Sequence, residues 1–282
     1  MSDILVELTE QRRRDAALRE AEIPFAEMMR RASSAPAPLN GRAALRRGLN
    51  TAENHPTDLT SELRLGDSSP RIIAELKRAS PSEGMIRDDF HPVELAKELV
   101  AAGAAALSVL CEPHRFLGSE DYLRAVRGVV DVPILYKDFL STRYQIAAAR
   151  AAGADIVLLI AAVLDDATLM DLLDFAHSLG MCALVETHDK AEIDRAVAVG
   201  ADIIGVNCRN LRNFSTDVSL LESLVAEIPS GCIRVAESGM HTREAIDRAR
   251  TAGADAFLIG TALMRSPHPG EKLKEFLSSG NV

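Results

Sequence analysis

The stretch Ala152-Gly153-Ala154-Asp155-Ile156-Val157-Leu158-Leu159-Ile160 joins the end of one element to the start of another. Upstream, Tyr144–Ala152 has helical character, and Gly153 falls where a helix needs a left-handed C-terminal residue. Downstream, the apolar run over 155–161 fits a strand buried on both faces. A helix that stops at glycine and leads straight into such a strand is the joint of a parallel β-α unit.

The joint recurs. Ala102-Gly103-Ala104, Val199-Gly200-Ala201-Asp202 and Ala252-Gly253-Ala254-Asp255 repeat it at intervals of about 50 residues, the length of two β-α units. Strand-like runs appear at 71–76, 105–111, 132–136, 155–161, 181–186, 202–207, 232–237 and 255–260. Helical stretches follow them at Val93–Ala102, Glu120–Val129, Tyr144–Ala152, Ala167–Leu179, Lys190–Val199, Leu220–Ile228, Thr242–Ala252 and Gly270–Ser278. This alternation predicts an α/β protein, a single closed (β/α)8 TIM barrel over 70–282. An open dinucleotide-binding sheet would want G-x-G-x-x-G after its first strand, and Ser80-Pro-Ser-Glu-Gly84 is not that.

Residues 1–69 read as an N-terminal helical extension and a long connection. An apolar stripe from Ile4 to Met29 predicts helix with a break near Pro24, and a short helix fits Gly41–Arg47. Arg12-Arg13-Arg14 reads as a solvated helix face. The four cysteines fall in runs read as strands and have no zinc spacing, so we expect reduced core thiols and no metal. A net charge of -9 argues against non-specific nucleic-acid binding but allows an anionic substrate in a locally basic cleft. The N-terminus lacks the basic start and apolar core of a signal peptide. The longest apolar run, Ile156 to Leu164, is far short of the ~20 residues needed to span a bilayer. We therefore expect a cytoplasmic protein with no membrane partner.

Barrel active sites collect at the C-terminal ends of the strands. Those ends carry Glu75 and Lys77, then Cys111 and Glu112, then Lys137-Asp138-Phe139. Nothing polar ends the fourth strand; Glu186, Asn207 with Arg209, Glu237-Ser238-Gly239 and Gly260-Thr261 end the others. Ser238-Gly239, Gly260-Thr261 and a short helix starting at Thr261 predict a phosphate corner of exposed backbone N–H groups. Lys77 and Lys137 then face Glu75, Glu186 and Glu237. A lysine so placed can serve as a general acid or, with a lowered pKa, as an imine-forming nucleophile. Phe116, Phe139 and Leu211 can wall an apolar pocket or simply pack their loops.

Several motifs resemble indole-3-glycerol phosphate synthases: Ile73-Ala-Glu-Leu-Lys-Arg-Ala-Ser-Pro-Ser82, Phe116-Leu-Gly-Ser119, Pro133-Ile-Leu-Tyr-Lys-Asp-Phe139, Leu184-Val-Glu186, Ile204-Gly-Val-Asn-Cys-Arg-Asn-Leu211 and Ala236-Glu-Ser-Gly239. The resemblance runs in order from about residue 71 to 265, with one motif at nearly every strand end. It implies a cofactor-free carbon-carbon lyase of tryptophan biosynthesis, with tryptophan synthase as a functional neighbour. Its substrate would be an anionic phosphosugar-anthranilate, 1-(2-carboxyphenylamino)-1-deoxyribulose 5-phosphate.

By the same resemblance Lys137 would be the general acid, and Lys77, helped by Arg209, would hold the substrate carboxylate. Glu186 would be the general base and Glu75 would stabilise charge on nitrogen. Asn207 and Glu237 would position sugar hydroxyls. Ser238, Gly239, Gly260 and Thr261 would hold the phosphate, with Ser80 on the rim and Phe116, Phe139 and Leu211 around the anthranilate ring. On this reading Glu75 and Lys77 are two separate substrate contacts rather than a pair made for each other. The chain departs from the family pattern at Glu83, Tyr136, Cys111 and Cys208, and in a longer connection around Asn50–Gly66.

Overall fold

The computed structural model describes residues 3–46, 69–208 and 218–278. Two helices, α1 (Asp3–Glu22) and α2 (Phe25–Ser34), open the chain, broken at Pro24, and α3 (Gly41–Leu45) follows. β1 (Arg71–Leu76) starts the barrel. A small antiparallel hairpin, β2 (Ala79–Ser80) with β3 (Gly84–Met85), then stands on its rim. The repeat continues with α4 (Pro92–Ala101), β4 (Ala106–Leu110), α5 (Glu120–Arg127), β5 (Ile134–Lys137), α6 (Arg143–Ala152), β6 (Ile156–Ile160), α7 (Asp166–Ser178), β7 (Cys182–Thr187) and α8 (Lys190–Ala198). It closes with β8 (Ile203–Val206), α9 (Val218–Glu227), β9 (Ile233–Ala236), α10 (Arg243–Thr251), β10 (Ala256–Ile259), α11 (Thr261–Met264) and α12 (Pro269–Leu277).

Eight parallel strands form one closed barrel in the order β1-β10-β9-β8-β7-β6-β5-β4. Closure comes from β1, which pairs with β10 on one side and β4 on the other. Period-two alternation sorts each strand's residues. Ile73, Ala106, Leu135, Ile156, Leu158, Leu184, Ile203, Ile233, Val235, Ala256 and Leu258 fill the interior. Their outward neighbours, such as Ile72, Leu107, Val157, Val185, Ile204 and Phe257, pack under the helices. One step further along, the inward set becomes Glu75, Lys137, Glu186 and Glu237, so the register that packs the core also delivers the polar rim.

The glycine joints behave as read: Gly103, Gly153, Gly200 and Gly253 all take positive φ. The aspartates after two of them add a second function. Asp155 accepts from the backbone N–H of Ile134 at 2.7 Å, and Asp255 from that of Arg234 at 3.0 Å, each tying one strand's start to its neighbour.

Two expectations need correction. Arg12 is not on a solvated face. Its guanidinium grips the Asp138 carboxylate with both Nε (3.0 and 3.1 Å) and Nη2 (2.8 Å), and its side chain is only 16% exposed. A charge triplet gives no sign of which member meets a buried partner. The cysteines, too, are mostly not strand residues: only Cys182 lies in one, while Cys111, Cys208 and Cys232 flank strand ends, all as free thiols. No described helix is long and apolar enough to cross a membrane.

Candidate active site

One pocket opens at the C-terminal mouth of the barrel. Glu75, Lys77, Ser80, Phe116, Lys137, Phe139, Glu186, Asn207, Glu237, Ser238, Gly239, Gly260 and Thr261 all line it, as do Ile4, Leu5 and Leu8 from α1. The structure therefore brings every described site residue of the sequence reading to one cavity. Arg209 and Leu211 lie outside the described residues.

Lys137, the last residue of β5, points inward with its Nζ 3.3 Å from Glu186 Oε2. Burial on its own would lower its pKa. The carboxylates of Glu186, Glu237 and Glu75 outweigh that and raise it. Such a lysine is an ammonium, an acid with a proton to give rather than a free amine. Glu186 is the mirror case. Burial favours its neutral form, but Lys137 and then His188 hold it well below the usual carboxylate range. Glu237 goes the other way, pushed well up by burial and by the charge on Glu186. Two buried carboxyl groups at one mouth thus hold opposite protonation states, one anionic and one neutral.

Glu75 and Lys77, read from the sequence as two separate substrate contacts, also touch each other, with Nζ 2.7 Å from Oε2. Residues i and i+2 share a face, which brings the two opposite charges together.

Room for these carboxylates comes from two glycines. A Cβ on Gly260 would lie 2.2 Å from Glu75 Oε2, and one on Gly205 would lie 1.9 Å from Glu237 Oε1. Gly205 belongs to the site's construction, yet the sequence reading passed over it inside an apolar run. Only its lateral pairing with β7 and β9 shows why it is small.

At the ends of β9 and β10, Ser238 and Thr261 are buried, and their hydroxyl oxygens have no hydrogen-bond partner among the described residues. Gly239, next to Ser238, takes φ +80, and α11 begins at Thr261. Buried polar atoms are ordinarily paired, so orphaned hydroxyls facing a cavity mark where a ligand's acceptors go. Phe116 and Phe139 meet with ring centroids 6.2 Å apart, forming an apolar wall beside Leu110, Leu158 and Ile160.

Two rim residues of the sequence reading, Glu112 and Cys111, turn away, and a third, Asp138, lines the pocket with its carboxylate engaged elsewhere. Glu112 is spent on its own loop, accepting from the backbone N–H groups of His114 (2.7 Å), Arg115 (2.7 Å) and Phe116 (2.8 Å). Cys111 packs into the outer core. The Asp138 carboxylate is taken up by Arg12. Tyr136 also faces outward, its hydroxyl 3.3 Å from Glu120, so this departure from the family pattern leaves the cavity lining unchanged.

A family model described as indole-3-glycerol phosphate synthase matches residues 7–276. The chain belongs to the indole-3-glycerol phosphate synthase family. It is similar to the indole-3-glycerol phosphate synthase of Campylobacter jejuni, at 46% identity over 233 residues covering 83% of this chain and 90% of the relative. The Acidithiobacillus ferrooxidans enzyme of the same name is 41% identical over 274 residues, covering 97% and 98%. That of Aliarcobacter butzleri is 40% identical over 279 residues, covering 99% and 100%. Among solved structures, a 3-hexulose-6-phosphate synthase superposes with a TM-score of 0.60 at 17% identity, covering 73% of this chain and 97% of that one. That likeness speaks to the barrel alone.

Proposed function

We propose that this site carries out the family's ring closure with Lys137 as general acid and Glu186 as general base. As a member of the family, the chain is a carboxy-lyase of tryptophan biosynthesis. It converts 1-(2-carboxyphenylamino)-1-deoxyribulose 5-phosphate to indole-3-glycerol phosphate. The observation that carries the assignment is the arrangement around Lys137: an ammonium largely buried among the acidic side chains of Glu75, Glu186 and Glu237.

The chemistry requires that asymmetry. When the aromatic carbon bearing the carboxylate attacks the ribulose carbonyl, negative charge grows on oxygen and positive charge on the nitrogen side. Lys137 delivers its proton to that oxygen. Glu75 lies across the mouth to balance the cationic side, and its ion pair with Lys77 opens as Lys77 takes the substrate carboxylate, with Arg209 assisting. CO2 then leaves. Loss of water, with Glu186 removing the proton, completes the indole.

Glu237, held neutral, is suited to hydrogen-bonding a sugar hydroxyl as donor as well as acceptor, with Asn207 beside it. The unpartnered hydroxyls of Ser238 and Thr261, with Gly239 and Gly260, suit the phosphate. Phe116, Phe139 and Leu211 suit the anthranilate ring. Ser80 suits the rim above them.

The test is an ultraviolet assay of indole formation from the synthetic substrate with no metal or cofactor added. Lys137→Met should lower kcat by about 10²-fold or more while circular dichroism shows an intact fold. Borohydride with substrate should leave Lys137 unmodified. Near-normal turnover in the variant, or a trapped lysine adduct, would overturn the general-acid assignment.

A further inference from the structure

His188 plays no part in the sequence reading and does not line the cavity. It sits in the turn between β7 and α8, two residues after Glu186, and bridges two carboxylates. Its backbone N–H donates to Glu192 Oε2 at 2.8 Å, and its Nδ1 lies 3.0 Å from the same oxygen. Its Nε2 lies 3.4 Å from Glu186 Oε1. The other oxygen of Glu186 belongs to Lys137. Glu186 therefore has a cationic group at each oxygen, one from β5, across β6 in the barrel, and one in its own turn.

We propose that His188, braced by Glu192, is the positioning residue that keeps Glu186 ionised and aimed at the reacting centre. This rests on the reading of Glu186 as the base. Nδ1 is within hydrogen-bond distance of Glu192, while Nε2 faces Glu186 at ion-pair distance without a hydrogen bond; a carboxylate beside each nitrogen favours the cation, because a neutral ring would turn a lone pair on one of them. The carboxylates facing it are Glu186 from β7 and Glu192 from α8; the carboxyl group of Glu237 at the β9 end, within electrostatic range, is held neutral. Although burial works against the charge, these carboxylates raise the imidazole pKa to about 10, so the ring stays protonated across the neutral range.

The arrangement matters because Lys137 has two duties. When it turns to the substrate oxygen it gives up its hold on Glu186, and Glu186 would then face Glu237 alone at low dielectric. In that state the two carboxyl groups compete for one proton, and a base that has picked it up is no base. His188 is outside the cavity, touches no substrate and keeps its contact through the cycle. Its charge favours the anion on Glu186, and its brace to α8 fixes which way the carboxylate points.

The test uses the full chain. ¹⁵N NMR of the imidazole should show both nitrogens of His188 protonated near pH 8, and deprotonation at lower pH in Glu192→Gln. His188→Gln should lower kcat by about tenfold with KM changed by less than about twofold, and move the acid limb of the kcat profile upward by about one unit. In a Glu186→Gln background the same change should cost less than about twofold, since there is no carboxylate left to hold. A His188 neutral near pH 8, or a kcat profile unmoved by His188→Gln, with Glu186→Gln inactive, overturns this inference alone. Normal turnover in Glu186→Gln overturns the base assignment and this inference with it.

Discussion

Glu186 on β7 and Glu237 at the end of β9 are the same residue type with β8 between their strands, yet their surroundings separate them. Lys137 and His188 draw Glu186 down, while burial beside Glu186 pushes Glu237 up. The sign of the pH response follows. A buried carboxyl whose folded pKa is raised loses its proton first in the unfolded chain, so stability falls as pH rises above its unfolded value near 4.5. Glu237→Gln should therefore raise Tm, and by more at pH 8 than at pH 5; a gain independent of pH would contradict a neutral Glu237. The same swap should keep turnover within about tenfold of the parent, whereas Glu186→Gln should lose about 10²-fold or more, because in the proposed mechanism only Glu186 accepts a proton.

At the scale of elements, α1 does more than cover the barrel. Its residues Ile4, Leu5 and Leu8 wall the pocket, and Arg12 fixes Asp138, the residue that follows Lys137. Asp138 is fully buried, and its pKa is raised by burial in spite of Arg12. Removing one member of a buried pair strands the other, so Arg12→Ala should destabilise the fold by about 3 kcal/mol, measurable by urea denaturation. A loss below about 1 kcal/mol would show that the pair is screened by solvent.

The rim hairpin is fastened differently. Glu83 pairs with Arg265 just beyond α11, and Arg87 Nη1 donates to the carbonyls of Met264 (3.2 Å) and Ser266 (2.9 Å). The departure at Glu83 thus has a local partner at the end of the helix whose start lines the proposed phosphate corner. Because Arg265 is more than half exposed, Glu83→Ala should change KM by no more than about threefold, with kcat unchanged. A drop in kcat would mean the hairpin governs the chemistry itself.

At the scale of the whole molecule, the barrel gathers two lysines, the acidic groups and the buried hydroxyls of Ser238 and Thr261 around one mouth. This predicts that inorganic phosphate competes with substrate despite the net charge of -9. Ser238→Ala should weaken that inhibition by roughly tenfold, as expected for one hydrogen bond to a charged group. Phosphate inhibition equal to the parent's would place the anion elsewhere.

The sequence by itself determined the strand–helix alternation, the barrel and most of the rim. The glycine joints, the buried apolar runs and the residues ending each strand are local signals, set by backbone conformation and period-two patterning, which need no partner to be read. Expected strand ends fall within about two residues of those observed. What a side chain touches across the barrel is different, because it depends on which strand becomes whose neighbour. Only the tertiary structure decided that Arg12 is buried on Asp138 while the adjoining arginines lie nearer solvent, that Glu112 and Cys111 turn away, and that Glu75 meets Lys77. It alone set Gly205 beneath Glu237, and gave Glu186 and Glu237 opposite protonation through charges that arrive from other strands. Electrostatics acts through space, and a linear pattern contains the charges without the distances between them.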